Sequence, residues 1–251
     1  MTRRTVLVTG ASRGIGAETA RVLGAEGAHV FVNYREKAKR ADQVVGEIAA
    51  AGGSATAVRA DLTDRAAVNA MVRDIRASHG HLDAVVLNAS GGMERAAAPG
   101  YALALNRDAQ TGTLDAALPL MTAPGRVVFV TSHQAHFHGT GETRETYAQY
   151  EAVAHSKRAG EDALRARIPG LSARGVDLVV VSGDMIEGTI TVTLLDRARP
   201  GTLDARRARA GTLPTVGEFA AAVANAVSAP FETGHTVYVG GTDYLAGSAK
   251  R

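Results

Sequence analysis

The side chains best equipped for chemistry gather in Tyr147-Ala148-Gln149-Tyr150-Glu151-Ala152-Val153-Ala154-His155-Ser156-Lys157, with Ser132 and the group His133, His136 and His138 shortly before them. The chain has no cysteine, so thiolate nucleophiles, disulfides and cysteine metal sites are excluded, and any reactive group must be oxygen or nitrogen. Tyr150 and Lys157 are seven residues apart. On one continuous helix they would share a face but stand about 10 Å apart along the axis, against about 6 Å for a spacing of four. Helical side chains lean toward the N-terminus, which carries the Tyr150 hydroxyl further off. Tyr150 therefore approaches Lys157 only if the helix begins after it and the preceding loop folds inward; Tyr147 is the other phenol of the segment. The histidines are a second source of acid or base, since imidazole titrates near pH 6.5. Their plainer reading is as loop residues, exposed or hydrogen-bonded locally. Without an obvious carboxylate or a second helix-borne pair they do not make a metal site.

The elements that must position these groups are legible from alternation. Short β-rich runs at 5–8, 29–33, 55–59, 84–87, 126–130, 177–181 and 236–239 are separated by Ala-rich segments of helical character at 15–26, 37–51, 64–79, 100–120, 150–168 and 215–228. Seven strands alternating with helices predict an α/β fold, a Rossmann-type doubly wound parallel sheet with helices on both faces. Strands covered on both faces read as unbroken apolar runs, as Val127 to Val130 and Val179 to Val181 do. Thr215 and Glu218 form a capping box at the start of the last helix. The 251 residues, 45% apolar and 21% charged, suit one domain spanning 1–251.

Several classes are excluded. No apolar run approaches the roughly 20 residues that cross a bilayer, and Met1-Thr2-Arg3-Arg4 leads straight into a strand instead of a secretory leader, so a cytoplasmic protein is expected. The net charge of +3 is spread along the chain, without the concentrated basic face that nucleic-acid binding needs.

The first strand runs into Thr9-Gly10-Ala11-Ser12-Arg13-Gly14-Ile15-Gly16 and then a helix. Gly10 permits a tight turn, Gly14 lets backbone approach a pyrophosphate, and Gly16 lets the helix pack on the strand. The helix N-terminus then offers free N–H groups to phosphate. The second strand ends in Val32-Asn33-Tyr34-Arg35, with no carboxylate to accept from a ribose 2′-hydroxyl. Arg35 and Arg13 instead suit a 2′-phosphate, which favours NADP over NAD.

With these residues in hand the chain resembles the short-chain dehydrogenase/reductase family over nearly its whole length. The spacing Thr-Gly-x-x-x-Gly-x-Gly is that family's form. Asp61-Leu62 is similar to its adenine-contacting pair, and Asn88-Ala89-Ser90-Gly91 to its Asn-Ala-Gly motif with Ser90 inserted. Asn106 sits where the family holds a relay water, Ser132 where a serine orients substrate, and Ser156-Lys157 matches the end of Tyr-x-x-Ser-Lys. The resemblance also has breaks. Val153 occupies the tyrosine position four residues before Lys157, and Ser132 lies 25 residues before that lysine instead of about 17. Ser182-Gly183 replaces Pro-Gly, and Thr189 comes two residues late.

The resemblance implies an atypical NADP(H)-dependent oxidoreductase acting on a small-molecule carbonyl, alcohol or enone. Ser132, Lys157 and Asn106 would be catalytic, with Tyr150, a loop histidine or a water held by Asn106 and Lys157 as the displaced proton donor. The glycine loop (with Ser12 and Ile15), Arg35, Asp61, Leu62, Asn88 to Gly91, Lys157 and Thr189 would hold the cofactor. Residues 133–149 would be a loop inserted at the active site and 183–213 a mobile substrate flap. Dimers or tetramers are expected from the family. The alternatives are a nucleotide-binding sensor or partner subunit without turnover, and lyase or isomerase chemistry on the same fold.

Overall fold

The computed structural model describes residues 3–93, 98, 100–140, 147–241 and 243. Seven strands form one sheet in the order β3-β2-β1-β4-β5-β6-β7, every neighbouring pair parallel: β1 (Thr5–Val8), β2 (His29–Tyr34), β3 (Ser54–Arg59), β4 (Leu82–Leu87), β5 (Met121–Ser132), β6 (Val176–Gly183) and β7 (Thr236–Val239). The Rossmann-type α/β architecture expected from the alternation is present.

The unbroken apolar runs divide between two cores because successive strand side chains point to opposite faces. Val6, Val8, Val30, Val32, Val128 and Val179 face one side, where α1 (Gly14–Ala25), α2 (Ala38–Ala50) and a last helix over Val216–Ser228 pack. Leu7, Phe31, Val85, Phe129, Leu178 and Val180 face the other, beneath α3 (Arg65–His79) and a broken helix. That broken helix comprises α4 (Tyr101–Leu103), a π turn (Ala104–Asp108) and α5 (Ala109–Ala117), where the sequence reading had one helix over 100–120. The remaining helices are α6 (His133–His136), α7 (Glu151–Arg165), α8 (Ile168–Ser172), α9 (Ile190–Ala198) and α10 (Thr202–Ala210), which makes Val216–Ser228 α11. The Thr215 and Glu218 capping box opens α11 as expected.

Three stretches differ in secondary structure from the reading of the sequence. The α-helix predicted over 150–168 begins at Glu151, with Tyr150 ending a 3₁₀ turn (Ala148–Tyr150) and standing at the N-cap. The stretch from His133, read as surface loop, opens as α6 because the Ser132 hydroxyl caps it, accepting from the Ala135 N–H at 3.2 Å. Residues 141–146 of that stretch lie outside the described residues. The Arg-, Gly- and Thr-rich excursion 183–213 folds into α9 and α10.

Strand order reverses between β1 and β4, so the connections leave the sheet in opposite directions there and open a crevice at the strands' C-terminal ends. All the motifs singled out above fall at those ends.

Candidate active site

A cleft of about 720 Å³ runs across the C-terminal ends of the strands. Its walls include all the residues assigned above to a cofactor, from Gly10 to Thr189, together with Ser132, Tyr150 and Lys157.

The half of the cleft at the glycine turn is built on close backbone approach. Gly10 has φ +62°, and a Cβ there would lie 3.0 Å from the Ala89 Cα of the loop after β4. A Cβ on Gly16 would meet Asn88 Nδ2 at 2.5 Å and the Gly10 carbonyl oxygen at 2.6 Å, so only glycine lets α1 seat here. Gly14, at φ +55°, borders open space. Thr9 staples the two loops together: its hydroxyl donates to the Val86 carbonyl and accepts from the Asn88 and Ala89 N–H groups, while Asn88 Nδ2 donates to the Thr9 carbonyl. The cap residue of α1, Arg13, makes no side-chain hydrogen bond to the first turn, so those amides face the cleft uncapped. Glycines that make room and uncapped amides behind them fit a pyrophosphate.

At the end of β2, Asn33 is structural: its carbonyl oxygen accepts from the Gly10 N–H, and its amide donates to the Val58 and Ala60 carbonyls. Arg35 donates to the Tyr101 hydroxyl at 2.9 Å and pairs with Glu36 at 3.2 Å. Arg13, Lys37 and Arg40 line the same corner, which is therefore cationic despite Glu36 and Asp61. The Asp61 carboxylate accepts from the Thr63 N–H and hydroxyl, ordering the turn that puts Leu62 in the wall. Sequence reasoning missed Tyr101, Lys37 and Arg40, which carry no motif and reach this corner only through the fold.

In the other half, the Tyr150 hydroxyl lies 3.1 Å from Ser132 Oγ. It stands at the end of the 3₁₀ turn that leads into α7, and the Gln134 side chain anchors the residue before that turn by accepting from the Tyr147 N–H. Tyr150 is buried, and burial holds its phenol above the ordinary value near 10, an effect opposed by the Ser132 bond. Lys157 is also buried. Burial pulls its ammonium down to about 8, and Nζ reaches the Val130 carbonyl at 3.5 Å. Val153 lines the cleft one turn before Lys157.

Asn106 stands behind the cleft wall, on the π turn. Its amide donates to the Gly91 carbonyl at 2.8 Å and to Ser156 Oγ at 2.9 Å, and its carbonyl oxygen accepts from the Gly91 N–H. A π turn widens the helix and frees a backbone group, a feature common at functional sites. Thr189 caps α9, its hydroxyl donating to the Ile186 carbonyl and accepting from the Val192 N–H.

The histidines are not poised as acids in the cleft. His133 is buried between β6 and the segment after β7: Nε2 donates to the Gly240 carbonyl at 2.9 Å, and Nδ1 pairs with the Ser182 hydroxyl at 2.8 Å. Burial pushes its pKa down, so it is held neutral. His136 bridges the buried Glu161 carboxylate and the Tyr238 hydroxyl, and His138 pairs with Glu151. Each partner is distant in sequence, so no local pattern announced it. Among the described residues no group of three or more acidic or histidine side chains could hold a metal ion. No helix there is long and apolar enough to cross a membrane.

Fold and cleft define a Rossmann-type protein whose site lies at the switch point of its sheet. The short chain dehydrogenase family model matches residues 4–193, and the chain belongs to that family of oxidoreductases. A solved dehydrogenase/reductase from Sinorhizobium meliloti superposes with a TM-score of 0.79 and 28% identity, covering 95% of this chain and 94% of that one. A short chain dehydrogenase from Burkholderia cenocepacia in complex with NADP gives 0.77 and 29%, over 94% and 96% of the two chains. The hydroxynaphthalene reductase-like protein Arp2 of Metarhizium robertsii is 44% identical over 88 residues, a match covering 35% of this chain and only 33% of that protein.

Proposed function

We propose that this chain is an NADP(H)-dependent carbonyl reductase whose proton donor is Tyr150. The observation that carries the reading is the Tyr150 hydroxyl at 3.1 Å from Ser132 Oγ. A phenol reaching in from the cap of α7 thus meets the serine that orients substrate, although Val153 stands four residues before Lys157. The solved relative from Burkholderia cenocepacia in complex with NADP supports a nicotinamide cofactor. The cationic corner of Arg13, Arg35, Lys37 and Arg40 supports its phosphorylated form.

In this reading the uncapped amides of α1, with Ser12, Arg13 and Ile15, hold the pyrophosphate, and Asp61 and Leu62 border the adenine. Asn88 to Gly91, Lys157 and Thr189 hold the remainder. When bound, the nicotinamide supplies the hydride that makes an alcohol of a carbonyl. Ser132 and Tyr150 hydrogen-bond the carbonyl oxygen, and Tyr150 gives that oxygen its proton. Burial raises the phenol above its ordinary value near 10, so it stands protonated and able to donate at neutral pH. Asn106 holds Ser156 and Gly91, and so fixes the start of the broken helix against α7.

The test is purified protein with NADPH and a panel of ketones, quinones and enones, read as loss of NADPH absorbance, with calorimetric titration of NADPH, NADP⁺, NADH and NAD⁺ alongside. Ketone-dependent oxidation is expected. Tight NADPH binding with no oxidation by any compound would defeat the reductase reading and leave a nucleotide-binding partner or sensor.

A further inference from the structure

We propose that the substrate half of the cleft takes a neutral, apolar cyclic ketone and discriminates against anionic carbonyl compounds such as keto acids and coenzyme A thioesters. This rests on the reductase reading and adds the substrate class.

The two halves of the cleft differ in charge. The arginines and lysine at the end of β2 belong to the nucleotide corner, while Ser132 and Tyr150 stand three strands away, at the end of β5. Around Tyr150 the wall is a packed apolar cluster, with Val153, Met185, Val192 and Leu195 buried and Met93 partly buried against them. Ile190, at the start of α9, extends this surface to the lip, where it is 50% exposed. Two methionines suit a rigid ring system of irregular outline, because thioether side chains adapt their shape at low cost.

Among the described residues, the charged groups that reach this half are already committed, as are most of the polar ones. The Asp184 carboxylate is buried and takes the Arg206 guanidinium at 2.8 Å and 2.7 Å. That guanidinium is in turn shared with Asp243. His133 is neutral and bonded through both ring nitrogens. Gln134 is engaged by the Tyr147 N–H. Lys157 is turned to the Val130 carbonyl. Among the described residues this leaves a largely apolar wall with a convergent polar point at Ser132 and Tyr150, which fits a carbonyl oxygen. An anionic substituent placed here would be desolvated without a countercharge, a penalty that neutral ring carbons do not meet.

The experiment measures binding separately from turnover. Full-length protein loaded with NADP⁺ is titrated calorimetrically with 1-tetralone, with a carboxylated 1-tetralone, and with acetoacetyl coenzyme A. The neutral ketone is expected to bind at least tenfold more tightly than either anion. Ile190→Lys, at a half-exposed position that tolerates a long polar side chain, is expected to shrink the preference over the carboxylated ketone at least threefold. Equal or tighter binding of an anion, binding of none of the three, or an unchanged preference in Ile190→Lys overturns the proposal. Selective binding of the neutral ketone without any NADPH oxidation would instead sink the reductase reading and leave the pocket's chemistry standing.

Discussion

Removing one oxygen atom from Tyr150 separates a catalytic role from a structural one. In Tyr150→Phe the ring keeps its packing against Val153, Met185 and Leu195, and Ser132 Oγ keeps the Ala135 N–H; the bond lost is the 3.1 Å contact between Tyr150 and Ser132. A single neutral hydrogen bond contributes about 1 kcal/mol, which in a chain of this size lowers Tm by roughly 2 to 4 °C. A positioned general acid is worth about 10² to 10⁴ in rate, or roughly 3 to 5 kcal/mol of barrier. The expected variant is therefore folded, binds NADPH within about twofold of the parent, and loses two to four orders of magnitude in kcat measured by single turnover at saturating NADPH with a ketone substrate. The double variant Tyr150→Phe/Val153→Tyr, which restores a phenol one turn before Lys157 on the cleft wall, should recover at least part of that loss. A kcat for Tyr150→Phe within about threefold of the parent, with stability unchanged, refutes the assignment, because a group donating the proton cannot be removed so cheaply.

Gly16→Ala should abolish nucleotide binding and destabilise the fold by several kcal/mol, since its methyl would overlap Asn88 Nδ2 and the Gly10 carbonyl; calorimetry and thermal melts check both. Arg35→Ser should cut the preference for NADPH over NADH by about 10- to 100-fold, the worth of a charge-assisted bond to phosphate; an unchanged cofactor ratio would move that role to Arg13, Lys37 or Arg40. The buried His29 has its pKa pulled down to about 4 from 6.5 by burial, with the neighbouring His79 adding to the shift. The unfolded chain thus binds the extra proton first as pH falls, so stability is full above about 6.5 and declines by up to roughly 3 kcal/mol toward pH 4. Urea unfolding at pH 7.5 and 4.5 should show that decline, and His29→Gln should flatten it.

The glycine-turn half of the cleft is readable in one dimension because its structure is local. A strand, a turn that needs positive φ at Gly10 and Gly14, and a helix whose first amides stay uncapped are consecutive in the chain, so residue type and spacing carry the structure with them. Periodicity likewise gave the seven strands, because burial on both faces leaves a continuous apolar signature. Even the capping box at Thr215 and Glu218 spans only four residues.

What the tertiary structure alone decided is everything whose partners lie far along the chain. Helical geometry placed Tyr150 too far from Lys157 to act with it. Only the 3₁₀ turn before Glu151 and the anchoring of Tyr147 by Gln134 deliver its hydroxyl to a serine 18 residues upstream. His133 and His136 had the right chemistry for acids, yet Ser182, Gly240, Glu161 and Tyr238 absorb them, at separations of 25 to 107 residues. Tyr101 reaches Arg35 across 66 residues. Hydrogen bonds of this kind follow from where strands and helices pack, which depends on the whole folded chain and leaves no mark in the spacing of the residues that make them.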